Sequence, residues 1–167
     1  VNDMSELDVD GEIIANTSAM EADEESLESI SSHVISSKIG IEKLDYAIKQ
    51  LLVKKNPELI IIETSGSCHP MPLIKYFKYQ KKVKLTGVLV LLDCLMISHD
   101  FGDGKKLISE MQQNMAEGKR GPINLLVEQI LFCNHLILTK SDKINNSKLQ
   151  NIASYIKNIN PYASIQS

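Results

Sequence analysis

Two short polar segments carry residue types that can do chemistry. The first is Thr139-Lys140-Ser141-Asp142, directly after the apolar run His135-Leu136-Ile137-Leu138. A carboxylate held in a turn at a strand end can accept two hydrogen bonds, from the N1–H and the exocyclic amine of guanine. Adenine presents no such donor pair, so an Asp142 placed this way selects guanine. The aliphatic stem of Lys140 can cover the base or the ribose. The same residues would also serve as an ordinary cap on the next helix. The second segment is Glu63-Thr64-Ser65-Gly66, after Leu59-Ile60-Ile61-Ile62. An acid at a strand tip can hold a water of a Mg²⁺ shell, because Mg²⁺ keeps most of its waters. Gly66 lets the backbone approach a γ-phosphate and offer its N–H. Ser65 or Thr64 can orient an attacking water. A plain strand-to-helix turn, with Gly66 at positive φ, would use the same letters.

Both segments need strands to present them. Ile41, Leu44, Ile48, Leu51 and Leu52 recur at helical spacing, and Asn56-Pro57 stops that helix. Residues 58–63 are then a short β-branched run without alternation, expected to be a strand buried on both faces of a parallel sheet. The pattern repeats. A helix is expected near 72–80, a strand over 85–92 ending at Asp93, a turn at 102–104, and a helical face through Leu107, Ile108, Met111 and Met115. Pro122 suits a first helical position, and a helix follows it. A strand is expected over 135–139, a helix through Leu149, Ile152, Ala153 and Ile156, and a fourth strand near 163–166. Alternation at this spacing predicts an α/β fold with a mostly parallel sheet and helices on both faces. Ligands in such sheets sit beyond the C-terminal strand ends, where Glu63, Asp93 and Asp142 fall.

Composition narrows the classes. Of 167 residues, 43% are apolar and 23% charged, and there are eight Gly and five Pro, an ordinary globular balance that excludes collagen-like and linker-dominated chains. No apolar run approaches the roughly 18–20 residues of a membrane span. Cys68, Cys94 and Cys133 form an odd set without a Cys-x-x-Cys pair. That argues against a disulfide scaffold or a Cys-rich zinc module and for a reducing, cytoplasmic setting. There is no Trp, and the lysines read as scattered, so neither a membrane nor a nucleic acid is expected as partner. Residues 1–37 hold ten acids and no Lys or Arg; the remainder has a net charge of +7. The acidic front reads as a solvated segment or as a loop that handles a divalent cation.

An ordered set of segments resembles the CobW-like family of P-loop GTPases, metal chaperones related to the urease and hydrogenase nickel-insertion proteins. The set is Val1–Gly11, Leu59–Gly66, Pro70 and Pro72, Gly87–Asp93, Gln129–Asp142 and Asn160–Ala163, and it covers essentially the whole chain. The opening Val1-Asn2-Asp3-Met4-Ser5-Glu6 looks most like the zinc-associated bacterial branch. The resemblance implies a partial GTPase domain, with an acidic switch-like segment at 1–37 and a βα core at 38–167. It implies that Asp3, Glu6, Asp8 and Asp10 lie near Mg²⁺ and the γ-phosphate. Glu63 would be the Walker-B-type acid, Gly66 the γ-phosphate sensor, Ser65 a water-orienting group, and Thr139, Lys140 and Asp142 the guanine-binding set. Thr139 stands where the family usually has Asn. The implied ligands are GTP and Mg²⁺, with zinc or cobalt delivered to a metalloprotein client.

Two departures qualify that implication. No Gly-rich GxxxxGK[ST] loop occurs in the chain, so the triphosphate lacks its cradle of backbone N–H groups. With Val1 as first residue, truncation before that point is expected, and the strand that would pair with 58–63 goes with it. The family's Cys-x-Cys-Cys motif is matched only by Val34-Ile35-Ser36-Ser37, and hydroxyls are poor zinc ligands. Cys68 and His69 are the substitute candidates for a transported metal. The competing expectations are a degenerate nucleotide- or client-binding homologue without metal transfer, and an inactive remnant.

Overall fold

The computed structural model describes residues 27–31 and 33–167, and the chain divides into two units, Val1–Cys68 and His69–Ser167. In the first unit, helix α1 (Lys38–Lys54) begins where the Ser37 hydroxyl accepts a 3.0 Å bond from the Gly40 N–H. That cap satisfies one of the donors a helix start leaves open. Leu44, Ala47 and Ile48, at helical spacing, are its buried face. They line a small cavity with Ile30, Ile35 and Ile62. The helix stops as expected: Asn56 turns to φ 45° ahead of Pro57.

Gly40 sits where the first turn of α1 meets the preceding backbone. A Cβ there would lie 2.2 Å from the Val34 carbonyl oxygen. Gly→Ala inside a helix ordinarily gains about 1 kcal/mol, but overpacking against backbone costs roughly 1–3 kcal/mol or more. Gly40→Ala should therefore be net destabilising, by about 2 kcal/mol in urea unfolding. A gain in stability would show that residues 34–35 can move aside freely.

The strand expected over 58–63 is corrected: among the described residues this run has no ladder partner. Nor is it buried on both sides, since Leu59 and Ile61 are 66% and 82% exposed while Ile60 and Ile62 are half-buried. An apolar run specifies a chain that wants covering, but a strand exists only through a neighbour that takes its hydrogen bonds.

The second unit holds the sheet. Its elements are α2 (Pro70–Lys78), β1 (Leu89–Asp93), α3 (Cys94–Phe101), α4 (Leu107–Ala116), α5 (Pro122–Phe132), β2 (His135–Thr139), a 3₁₀ turn (Ser141–Lys143), α6 (Asn146–Ile159) and β3 (Ser164–Gln166). The strands are parallel, in the order β1-β2-β3, with Leu89 opposite His135 and His135 opposite Ser164. This is the α/β class expected from the alternation. Asn134 sets the register. Its N–H donates to Val88 O at 2.9 Å and its Oδ1 accepts from Val88 N at 2.9 Å, just before pairing begins at Leu89. The strand expected from residue 85 accordingly starts four residues later. Helix α3 is an addition: Asp93, read as a strand end, is also the N-cap of a helix that Gly102 closes in the left-handed region.

Val90 and Leu92 of β1, Leu136 and Leu138 of β2 and Ile165 of β3 join one core with residues of the helices. Ile97, Ile130, Ile152 and Ile156 are fully buried there. At roughly 1.5–3 kcal/mol each, they outweigh the surface ion pairs, worth about 0–1 kcal/mol apiece. The alternate residues Leu89 and Leu91 are 58% and 66% exposed. Buried Ser98 accepts from Lys148 Nζ at 3.0 Å and donates to Asp103 at 2.7 Å, tying α3 to the start of α6. Lys75, Lys78, Lys81, Lys82 and Lys84 are all exposed, a denser basic run than the scatter expected. Among the described residues no helix is long and apolar enough to cross a membrane.

Candidate functional site

The C-terminal ends of β1 and β2 lie side by side, with Asp93 opposite Thr139 in the ladder. Asp93 Oδ1 accepts from Leu95 N at 2.8 Å and Met96 N at 3.2 Å, capping α3. Its other oxygen, Oδ2, pairs with Lys140 Nζ at 2.5 Å. The Lys140 ammonium, aided by the two backbone N–H groups and opposed by partial burial, holds the Asp93 carboxyl below its ordinary value. Thr139 Oγ1 donates to Leu92 O at 3.2 Å, a second tie between the strand ends. Lys140 itself is left-handed, at φ 55°, which turns the chain sharply out of β2. The 3₁₀ turn follows, closed by Lys143 N to Lys140 O at 3.0 Å. It carries Asp142 outward, 69% exposed, with the Lys143 ammonium 3.1 Å from its Oδ2. An exposed carboxylate on an ordered turn is free to accept from a planar donor pair.

The residues of the second polar segment lie in the first unit. Glu63 is exposed. Cys68 N donates to Ser65 O at 3.0 Å, and Ser65 Oγ and Ser67 Oγ are 3.0 Å apart, so residues 65–68 form a turn. Gly66 is not among the glycines at positive φ, and a Cβ on it would meet nothing within 4 Å. Neither turn geometry nor crowding by the described chain therefore demands a glycine there. Asp3, Glu6, Asp8 and Asp10 lie outside the described residues.

For a soft metal, the chemistry is thinner. Ser37, at the last position of the degenerate cysteine motif, is occupied as the cap of α1. Cys68 is buried at 4% exposure. His69 is the residue before α2, and its Nδ1 lies 3.1 Å from Glu128 Oε2 on α5. Among the described residues, no group of three or more His, Cys, Asp or Glu is arranged to hold a metal ion. Burial pushes the Cys94 and Cys133 thiols up, so these two are poor thiolates at neutral pH.

A parallel α/β sheet with polar turns at the C-terminal ends of its strands belongs to a class of folds that bind ligands beyond those ends. The CobW/HypB/UreG nucleotide-binding domain family matches residues 1–167, and the chain belongs to that family. Among characterised relatives, the zinc-regulated GTPase metalloprotein activator 1 of Dictyostelium discoideum is 27% identical over 179 aligned positions, covering 98% of this chain and 38% of that protein. The zinc chaperone CobW of Sinorhizobium sp. is 26% identical over 156, covering 90% of this chain and 44% of that protein. The chain thus spans less than half the length of the curated relatives it matches. No solved structure matches it at a significant level.

Proposed function

We propose that this chain is part of a GTP-dependent metallochaperone that couples Mg²⁺-dependent GTP hydrolysis to delivery of zinc or cobalt to a metalloprotein client in the cytoplasm. The observation that carries this reading is the exposed Asp142 carboxylate on the turn after β2, beside Lys140. Family membership and the names of both relatives, a zinc-regulated GTPase and a zinc chaperone, support the same reading. In this reading Thr139, Lys140 and Asp142 bind guanine. Glu63 holds a Mg²⁺-bound water with help from Asp10, a fit with its exposed carboxylate and the hydrated chemistry of Mg²⁺. Gly66 lies beside the γ-phosphate as its sensor, and Ser65 orients the attacking water. Hydrolysis of this kind draws its rate from positioning and charge stabilisation. Mg²⁺, when bound, supplies the charge that offsets the phosphate oxygens.

A second reading, a nucleotide- or client-binding homologue without metal transfer, is favoured by one observation. Ser37 caps a helix where the family motif places a thiolate. Calorimetry with GTP and ATP, and zinc titration against a competing chelator, separate the two readings. The 167-residue chain, lacking a GxxxxGK[ST] loop, should bind GTP weakly yet about tenfold or more above ATP. Equal affinities would remove the guanine claim. Zinc retained against the chelator and lost in Cys68→Ser would support metal carriage; zinc surrendered at once would support the second reading.

A further inference from the structure

Asp93 has a use that helix capping does not exhaust. Its two oxygens are divided between two tasks: Oδ1 serves the N-terminus of α3, while Oδ2 serves Lys140, 47 residues away. Lys140 is a non-glycine residue in the left-handed region, a conformation that persists only where its surroundings hold it. Two ties reach this loop from β1: the ion pair at Asp93 and the Thr139 hydroxyl on Leu92 O. Asp142 lies two residues beyond Lys140, on the turn that Lys140 O closes. Whatever fixes Lys140 therefore fixes the direction in which Asp142 is presented.

We propose that Asp93 is the positioning residue of the base-reading loop: its carboxylate holds the Lys140 ammonium and so keeps residues 139–143 in the shape that recognises guanine. The inference rests on the guanine reading above and adds to it a residue outside the Thr-Lys-x-Asp segment. Asp93 touches no nucleotide in this account; it acts through Lys140. The competing account makes the pair an ordinary surface salt bridge of little consequence, with Asp93 present only as a cap.

Asp93→Asn separates the two accounts, because Asn caps a helix as well as Asp does but cannot make the charged pair. The variant should keep its thermal midpoint within a few degrees. The amide protons of Lys143 and Ile144, which close the turn on Lys140 O and Ser141 O, should exchange about tenfold faster. The ratio of GTP to ATP affinity should fall about tenfold, with ATP affinity itself changing less than about twofold. Lys140→Met, which leaves Asp93 as a cap, should speed the same amides, and the double variant should exchange no faster than either single one. A folded Asp93→Asn with unchanged exchange and an unchanged affinity ratio overturns the proposal. A parent protein without guanine preference sinks the guanine reading itself, and the exchange rates alone then decide whether Asp93 holds the loop. Should Asp93→Asn fail to fold, Lys140→Met gives the deciding exchange measurement, and unchanged rates there overturn the tie.

Discussion

Asn160→Ala should lower the stability of the second unit by about 3 kcal/mol, more than any other single polar substitution there. Asn160 is 5% exposed. Its Nδ2 lies 2.9, 3.1 and 3.0 Å from the carbonyls of Ile130, Leu131 and Cys133, where α5 ends. Its Oδ1 accepts from Tyr162 N and Ala163 N, both at 3.2 Å, where the chain turns into β3. One amide thus closes a helix C-terminus and opens a strand. Truncation strands carbonyls and amides in a region water reaches poorly, at about 1–3 kcal/mol for each group left unsatisfied. For a chain of this size the thermal midpoint should drop by roughly 10 °C. Asn160→Asp should cost at least as much, since it turns the donor toward three carbonyls into a further acceptor. Urea unfolding would measure both, and a loss below about 1 kcal/mol for Asn160→Ala would show that water replaces the amide without difficulty.

Under the proposed guanine reading, Asp142→Asn should abolish the preference for GTP over ATP. Ionised, Asp142 can only accept hydrogen bonds, which matches the adjacent N1–H and amine donors of guanine. An amide offers one acceptor and one donor, so one donor would meet another donor. Good bidentate pairs with a base edge are worth about 1–3 kcal/mol, so GTP affinity should fall roughly ten- to a hundredfold, with ATP affinity little changed. Xanthosine triphosphate carries a carbonyl in place of the guanine amine, and the variant should gain affinity for it. Loss of GTP and ATP binding in equal measure would assign Asp142 to the fold of the turn rather than to the base. The prediction depends on Asp142 staying exposed, which its 69% accessibility provides, and on the loop keeping its shape, where Asp93 enters.

The two candidate segments were unequally legible. Thr139–Asp142 could be placed at a strand's end from the sequence because a strand with inward-facing aliphatic residues at Leu136 and Leu138 must end where polarity begins. The Glu63–Gly66 segment follows an equally apolar run, yet that run has no ladder partner among the described residues. Composition cannot supply the neighbour that makes a strand. Helix α3 is not expected when Asp93 is taken as a strand end alone, yet the same residue also caps the helix. The signals were present: an Asp cap before an apolar turn, and the Gly102-Asp103-Gly104 stop. Ser98, Asp103 and Lys148 gave no sign at all, because nothing in sequence links residues 50 positions apart whose side chains meet only after packing.

By itself the sequence determined the periodicities: which stretches bury a helical face, which are short apolar runs that need covering, where Pro122 and Asn56-Pro57 punctuate them, and hence the α/β class. Those properties are local and follow from side-chain size, hydrophobicity and backbone preference over a few residues. Only the tertiary structure decided which strands pair, that Asp93 divides its oxygens between a helix and Lys140, that Ser37 caps rather than ligates, and that Asn160 joins α5 to β3. Each is a hydrogen bond, and in all but the Ser37 cap its partners come from separate elements. A polar side chain's role is set by which donors and acceptors the packed core leaves within about 3 Å of it.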